Sequence, residues 1–174
     1  RETRFVRQAI ASWRTNPSIG ILGDLDADRL PVVSFVVHAP GGRRLHHNYV
    51  VALLSDLFGI QARGGCSCAG PYGHRLLGID LDRAHGFADQ VADGWLGIKP
   101  GWVRLGFSFY QPESLVDYVI AAVHLVATHG ANLLPLYRFD PHTGRWQHRD
   151  APPPPVDLDQ IWYDPDGRLR HPEH

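Results

Sequence analysis

Two consecutive segments, Val103 to Tyr110 and Pro112 to Gly130, constrain the fold most. In the first, Val103, Leu105, Phe107 and Phe109 alternate with Arg104, Gly106, Ser108 and Tyr110. That two-residue period is the mark of a strand with one apolar face. Pro112 and Glu113 then open a helix, the proline fixing φ and the glutamate placing negative charge at the positive end. Val116, Val119, Ile120, Val123 and Ala127 recur at helical spacing, and Gly130 closes the segment. A strand and a helix with one apolar surface each are stable only when those surfaces face each other. This predicts an α+β fold: a two-layer domain, with a small, mostly antiparallel sheet and helices packed on one face.

Other segments fit the same plan. Residues 1 to 16 read as an amphipathic helix with Phe5, Val6, Ala9, Ile10 and Trp13 on one face, stopped by Asn16-Pro17. Ile19 to Gly23 and Val32 to Val37 read as paired strands around an Asp-rich turn. Asn48 to Phe58 is a helix ended by Gly59, and Ile60 to Ala62 a brief strand running into Gly64-Gly65. Short helices are expected over His74 to Gly78 and Ala84 to Ala92. Tyr137 to Asp140 and Arg145 to His148 flank a turn and predict a hairpin. Pro152 to Pro155 form a stiff linker, with Trp162-Tyr163 expected to dock back on the body.

The composition narrows the function classes. Hydrophobic residues make up 44% and charged residues 20% of 174, which suits a globular chain able to bury its own core. A formal net charge of -1 argues against a general nucleic-acid binder, because phosphate affinity rests on a basic surplus. There is no apolar run of membrane-spanning length and no basic-then-apolar leader, so neither a membrane nor a secreted protein is expected. The sequence contains no methionine, even at position 1, and reads as a piece of a longer protein. Cys66 and Cys68 are too close for an unstrained bridge, so reduced thiols and a cytoplasmic location are expected.

The densest chemistry lies between Ala62 and His74. Four glycines and a proline there build a constrained loop that lets backbone approach a ligand closely. A thiol near Arg63 and at the start of a helix tends toward the nucleophilic thiolate. Equally, Cys66 and Cys68 read as buried small side chains on a turn. Cys66, Cys68, His74, His46 and His47 offer soft metal ligands, but a C-x-C pair without a second pair is a poor zinc nucleus, and no metal site is expected. Arg104, with only Gly106 and Ser108 beside it on its strand face, has room to grip a carboxylate, or is an ordinary strand arginine.

Two motifs carry a resemblance. Arg63, Gly65, Cys68 and Ala69 meet a pattern of arginine, glycine two on, then cysteine-alanine five and six on. Val103-Arg104 through Tyr110 and Val116-Asp117 meet a second, an arginine in a strand followed by Tyr-x-x-x-Glu/Ser-x-Val-Asp. Together with LHHNYVVALLSDLFGIQARGGCSCAGPYGHRLLG from Leu45 to Gly78, they resemble the C-terminal small domain of class V aminotransferases. That family of fold-type-I pyridoxal-phosphate enzymes includes cysteine desulfurases and selenocysteine lyases. The likeness covers roughly residues 5 to 130; Trp13, Asn16-Pro17 and Ile21-Leu22-Gly23 resemble the family's approach to its small domain.

The resemblance implies roles position by position. Arg104 would hold the α-carboxylate of an amino-acid substrate, and Arg63 would shape the mouth of the site. Cys68 sits where desulfurases keep the catalytic thiolate that takes sulfur from the substrate as a persulfide. Cys66 is an extra thiol, and Gly70 to Gly73 lengthen the loop. The cofactor, pyridoxal 5'-phosphate, would be bonded by a lysine in a Ser-x-His-Lys context and faced by an aspartate, both in a large domain. Neither context occurs here: Lys99, the sole lysine, lies in Gly97-Ile98-Lys99-Pro100-Gly101. The implied organisation is a connecting helix over residues 1-17, the small domain over 18-134 and an extension over 135-174. The implied partners are the missing large domain and a second copy, as a homodimer, without nucleic acid or membrane. The competing expectation is a stand-alone carboxylate-binding or regulatory domain derived from the same fold, without catalysis.

Overall fold

The computed structural model describes residues 1–65, 70–152 and 162–170. Its centre is a four-stranded antiparallel sheet in the order β1-β2-β4-β3: β1 Ile19–Ile21, β2 Val32–Val37, β3 Arg63–Gly65 and β4 Trp102–Gly106. Strand alternation sends Val33, Phe35 and Val37 of β2 and Val103 and Leu105 of β4 to one face, where all are buried. Three helices cover that face: α1 (Glu2–Trp13), α2 (His47–Phe58) and α5 (Glu113–His129). The expected two-layer α+β architecture is present.

The helices bury the stripes that their spacing dictates. The five residues of the α1 stripe, Phe5, Val6, Ala9, Ile10 and Trp13, are all buried. Trp13 is fully buried: its ring centroid lies 5.2 Å from that of Phe35, and its indole N–H donates to the Ile120 carbonyl of α5 at 3.2 Å. One residue therefore ties the first helix to the sheet and to the last long helix. The run Glu113–Leu136, α5 and its following turns, is apolar enough by length and composition to cross a membrane. Here Val116, Val119, Ile120, Val123 and Ala127 spend that apolarity on the core.

Two shorter helices, α3 (Gly70–Leu77) and α4 (Leu81–Ala92), follow β3. Leu77 of α3 packs with Val36 and Trp102, making a small second cluster on the opposite face of the sheet. A hairpin, β5 (Tyr137–Asp140) with β6 (Arg145–His148), occupies the expected residues. It docks on α2: the Trp146 ring packs tilted against Tyr49 with centroids 4.7 Å apart, and Asn48 Nδ2 donates to the Gly144 carbonyl at 2.8 Å.

Four local expectations are corrected. The brief strand expected at Ile60 to Ala62 starts instead at Arg63, because Ile60 closes α2. Gly59 takes φ +64, and the Ile60 N–H reaches back to the Leu54 carbonyl at 3.0 Å while its side chain is buried. β4 stops at Gly106 rather than Tyr110. Ser108 N–H takes the Gln111 side-chain oxygen at 2.8 Å, turning the chain ahead of Pro112 and leaving Phe109 65% exposed. Gly70 to Gly73 do not lengthen the loop; they form the first turn of α3, with Pro71 in a position that needs no N–H. Trp162 and Tyr163 do not dock on the body: they form β7, paired with β8 (Leu169–Arg170), and are 55% and 71% exposed.

Candidate functional site

The β3–β4 pair sets the two arginines side by side. Arg63 lies directly opposite Arg104 in the antiparallel register, and Ser34 of β2 lies opposite Arg104 on the other flank. Directly opposed residues leave the same face of a sheet. That face is the one away from α1, α2 and α5, since Val103 and Leu105 take the core side. Arg104 is half-buried and Arg63 exposed, and among the described residues neither makes an ion pair. Opposed like charges cost stability unless something negative lies between them. Gly106 continues the Arg104 face, where a Cβ would meet the Pro31 carbonyl and Val32 at ordinary contact distance, whereas Ser108 is in the turn beyond the strand. Of the two small residues expected beside Arg104, only Gly106 stays on its strand face.

Cys66 and Cys68 lie outside the described residues. The elements that flank them are β3 and α3. Among the described residues no group of three His, Cys, Asp or Glu side chains converges.

Sequence spacing gave His46 and His47 no role beyond distant metal ligands. The structure stacks their rings 4.3 Å apart at the start of α2. His46 Nδ1 accepts from the Asn48 N–H, capping the helix, so Nε2 carries the proton and donates to the Gly97 carbonyl at 2.8 Å. Burial pushes the His46 imidazole below its ordinary value, partly offset by that carbonyl. His47 is pushed down to about 4, by burial first and by the neighbouring His46 second. Both are neutral near pH 7. A His-His pair immediately before a helix was the available signal.

A second polar cluster resembles hydrolase machinery without its chemistry. Ser12 Oγ lies 2.9 Å from His124 Nε2, and the Asn16 amide nitrogen 3.2 Å from His124 Nδ1. With the amide donating, Nδ1 is the acceptor and Nε2 carries the proton. A nucleophile needs the reverse tautomer, so this cluster fastens α1 to α5.

Pyridoxal phosphate makes two demands of a chain that bonds it: an amine for its aldehyde and an acid facing its ring nitrogen. Lys99 is the only lysine, and it lines a cavity of about 590 Å³ to which, among the described residues, no aspartate or glutamate contributes. The described residues therefore do not fit a covalently held cofactor. Compared with known proteins, the chain matches no family model and no curated protein.

Proposed function

We propose that this chain is the carboxylate-gripping small domain of a pyridoxal-phosphate enzyme acting on an amino acid, similar to class V aminotransferases and like cysteine desulfurases and selenocysteine lyases in its motifs. The observation that carries it is the Arg63–Arg104 pair across adjacent strands, without an acidic partner among the described residues. A planar guanidinium offers two parallel N–H donors, which match a carboxylate as an ammonium does not. On this reading Arg104 takes the substrate's α-carboxylate, Arg63 lines the approach and Cys68 is the acceptor thiol. The cofactor's lysine and aspartate belong to a large domain outside this sequence.

The second proposal is a stand-alone carboxylate-binding or regulatory domain, which the same arginine pair supports without a cofactor. Titration with L-serine, an unreactive mimic of cysteine, against L-serinamide tests the shared claim by NMR of the arginine Nε–H signals. L-serine should move the Arg104 signal saturably and the amide should not. Arg104→Lys should weaken L-serine by about tens- to a hundredfold without changing the melting temperature. Equal response to both probes would defeat the carboxylate assignment. Tight binding by this chain alone would favour the stand-alone domain.

A further inference from the structure

The sheet ends in a cavity that neither arginine of the β3–β4 pair lines. The β2–β4 ladder stops at Phe35 and Val103, although β1 follows β2 as far as Val37. Beyond that point Val37 gives its carbonyl to the Leu45 N–H at 2.8 Å instead. The space left at this end is about 590 Å³, within the range of small-ligand sites.

Its charge is one-sided. Arg44, Arg83 and Lys99 come from three separate segments to its lining, and among the described residues no aspartate or glutamate does. None of the three makes an ion pair among the described residues, and Arg44 is steadied by donating to the Leu77 carbonyl at 3.1 Å. The two histidines of its lining are neutral near pH 7, so the net charge comes from these three side chains.

A second, apolar groove of about 230 Å³ runs between α3 and α4, past Ala84, Ala88 and Val91. It shares Leu77, Phe87, Lys99 and Trp102 with the cavity. Trp102 stands between the two spaces, only 4% exposed, and its indole N–H has no acceptor among the described residues. A buried donor without an acceptor is costly, and buried indoles usually find one. The site thus offers cations and a spare donor at one end and a hydrocarbon lining at the other.

We propose that this compound cavity binds an amphipathic anion: a carboxylate or phosphate head held by Arg44, Arg83 and Lys99, with an apolar body in the α3–α4 groove. The proposal is independent of the Arg63–Arg104 pair, and its failure leaves that pair's role standing.

The probe is 8-anilinonaphthalene-1-sulfonate, a fluorescent anion with an aromatic body, competed by octanoate, octyl phosphate or inorganic phosphate. One saturable site is expected. Octanoate or octyl phosphate should displace the probe, the better competitor identifying the head group, and inorganic phosphate should do so far more weakly. Arg83→Gln and Lys99→Gln, neither of which loses a side-chain hydrogen bond among the described residues, should each weaken binding by about tenfold. Arg14→Gln, an exposed arginine that does not line either space, should leave it unchanged. Ala88→Phe should abolish the advantage of the octyl compounds over phosphate by filling the groove. Unchanged affinity in both cavity variants, or no saturable binding by the folded wild type, would overturn the proposal.

Discussion

Acid should unfold this protein through His47 and His46, and the amount can be worked out from the stacked pair. In the folded chain His47 takes its proton only near pH 4, against an ordinary value of 6.5. A group whose folded value lies below its unfolded value binds more protons when unfolded, so stability falls as pH falls. The contribution is complete above pH 6.5 and is lost between 6.5 and about 4. That gap corresponds to roughly 3 kcal/mol, an upper figure because the ring keeps some contact with solvent. His46 adds a loss of the same sign, since protonating Nδ1 removes the acceptor that caps α2.

The assay is urea unfolding of wild type and His47→Gln at several values between pH 7.5 and 4.5. Effects of pH common to both proteins cancel in the difference. The wild-type advantage should shrink by about 2–3 kcal/mol across the range, with a steepest slope of about 1.2 kcal/mol per pH unit. A difference constant to within about 0.5 kcal/mol would refute the claim that His47 is held neutral by burial.

Three further outcomes follow from single contacts. Trp13→Ala removes a fully buried ring and the N–H bond to Ile120, and should cost about 3–5 kcal/mol in calorimetry or urea unfolding. Gly101→Ala should cost about 1–3 kcal/mol, because a Cβ there would meet the Gly65 backbone at 2.7 and 2.8 Å; an unchanged melting temperature would show that this wall can yield. If Cys68 is the acceptor thiol, mass-spectrometric timing of iodoacetamide labelling near neutral pH should find it far ahead of Cys66, whereas equal, slow labelling would favour two inert thiols.

The core was legible because each long element carries its burial as a period. The α1 stripe, the β4 alternation and the α5 stripe are repeated locally, and a helix or strand can bury only the face its own period supplies. Gly59 and Gly130 likewise sit where those periods end, although only Gly59 adopts the left-handed conformation. The sequence also singled out Arg104, since an arginine in an otherwise half-apolar strand is visible in one dimension.

Tertiary structure decided everything that depends on two segments meeting. Arg63 faces Arg104 only because β3 adds to the β4 edge in one register, and a shift of one residue would send Arg63 to the other face. Ile60, which reads as a strand residue, became the plug of α2 because a buried helix end must satisfy its carbonyls before the next strand can begin. The three cations of the cavity lie 16 to 55 positions apart in sequence, so no local pattern could gather them; the end of the β2–β4 ladder did. Periodicity determined which surface each element hides, and packing alone determined which charges came together on the surfaces left over.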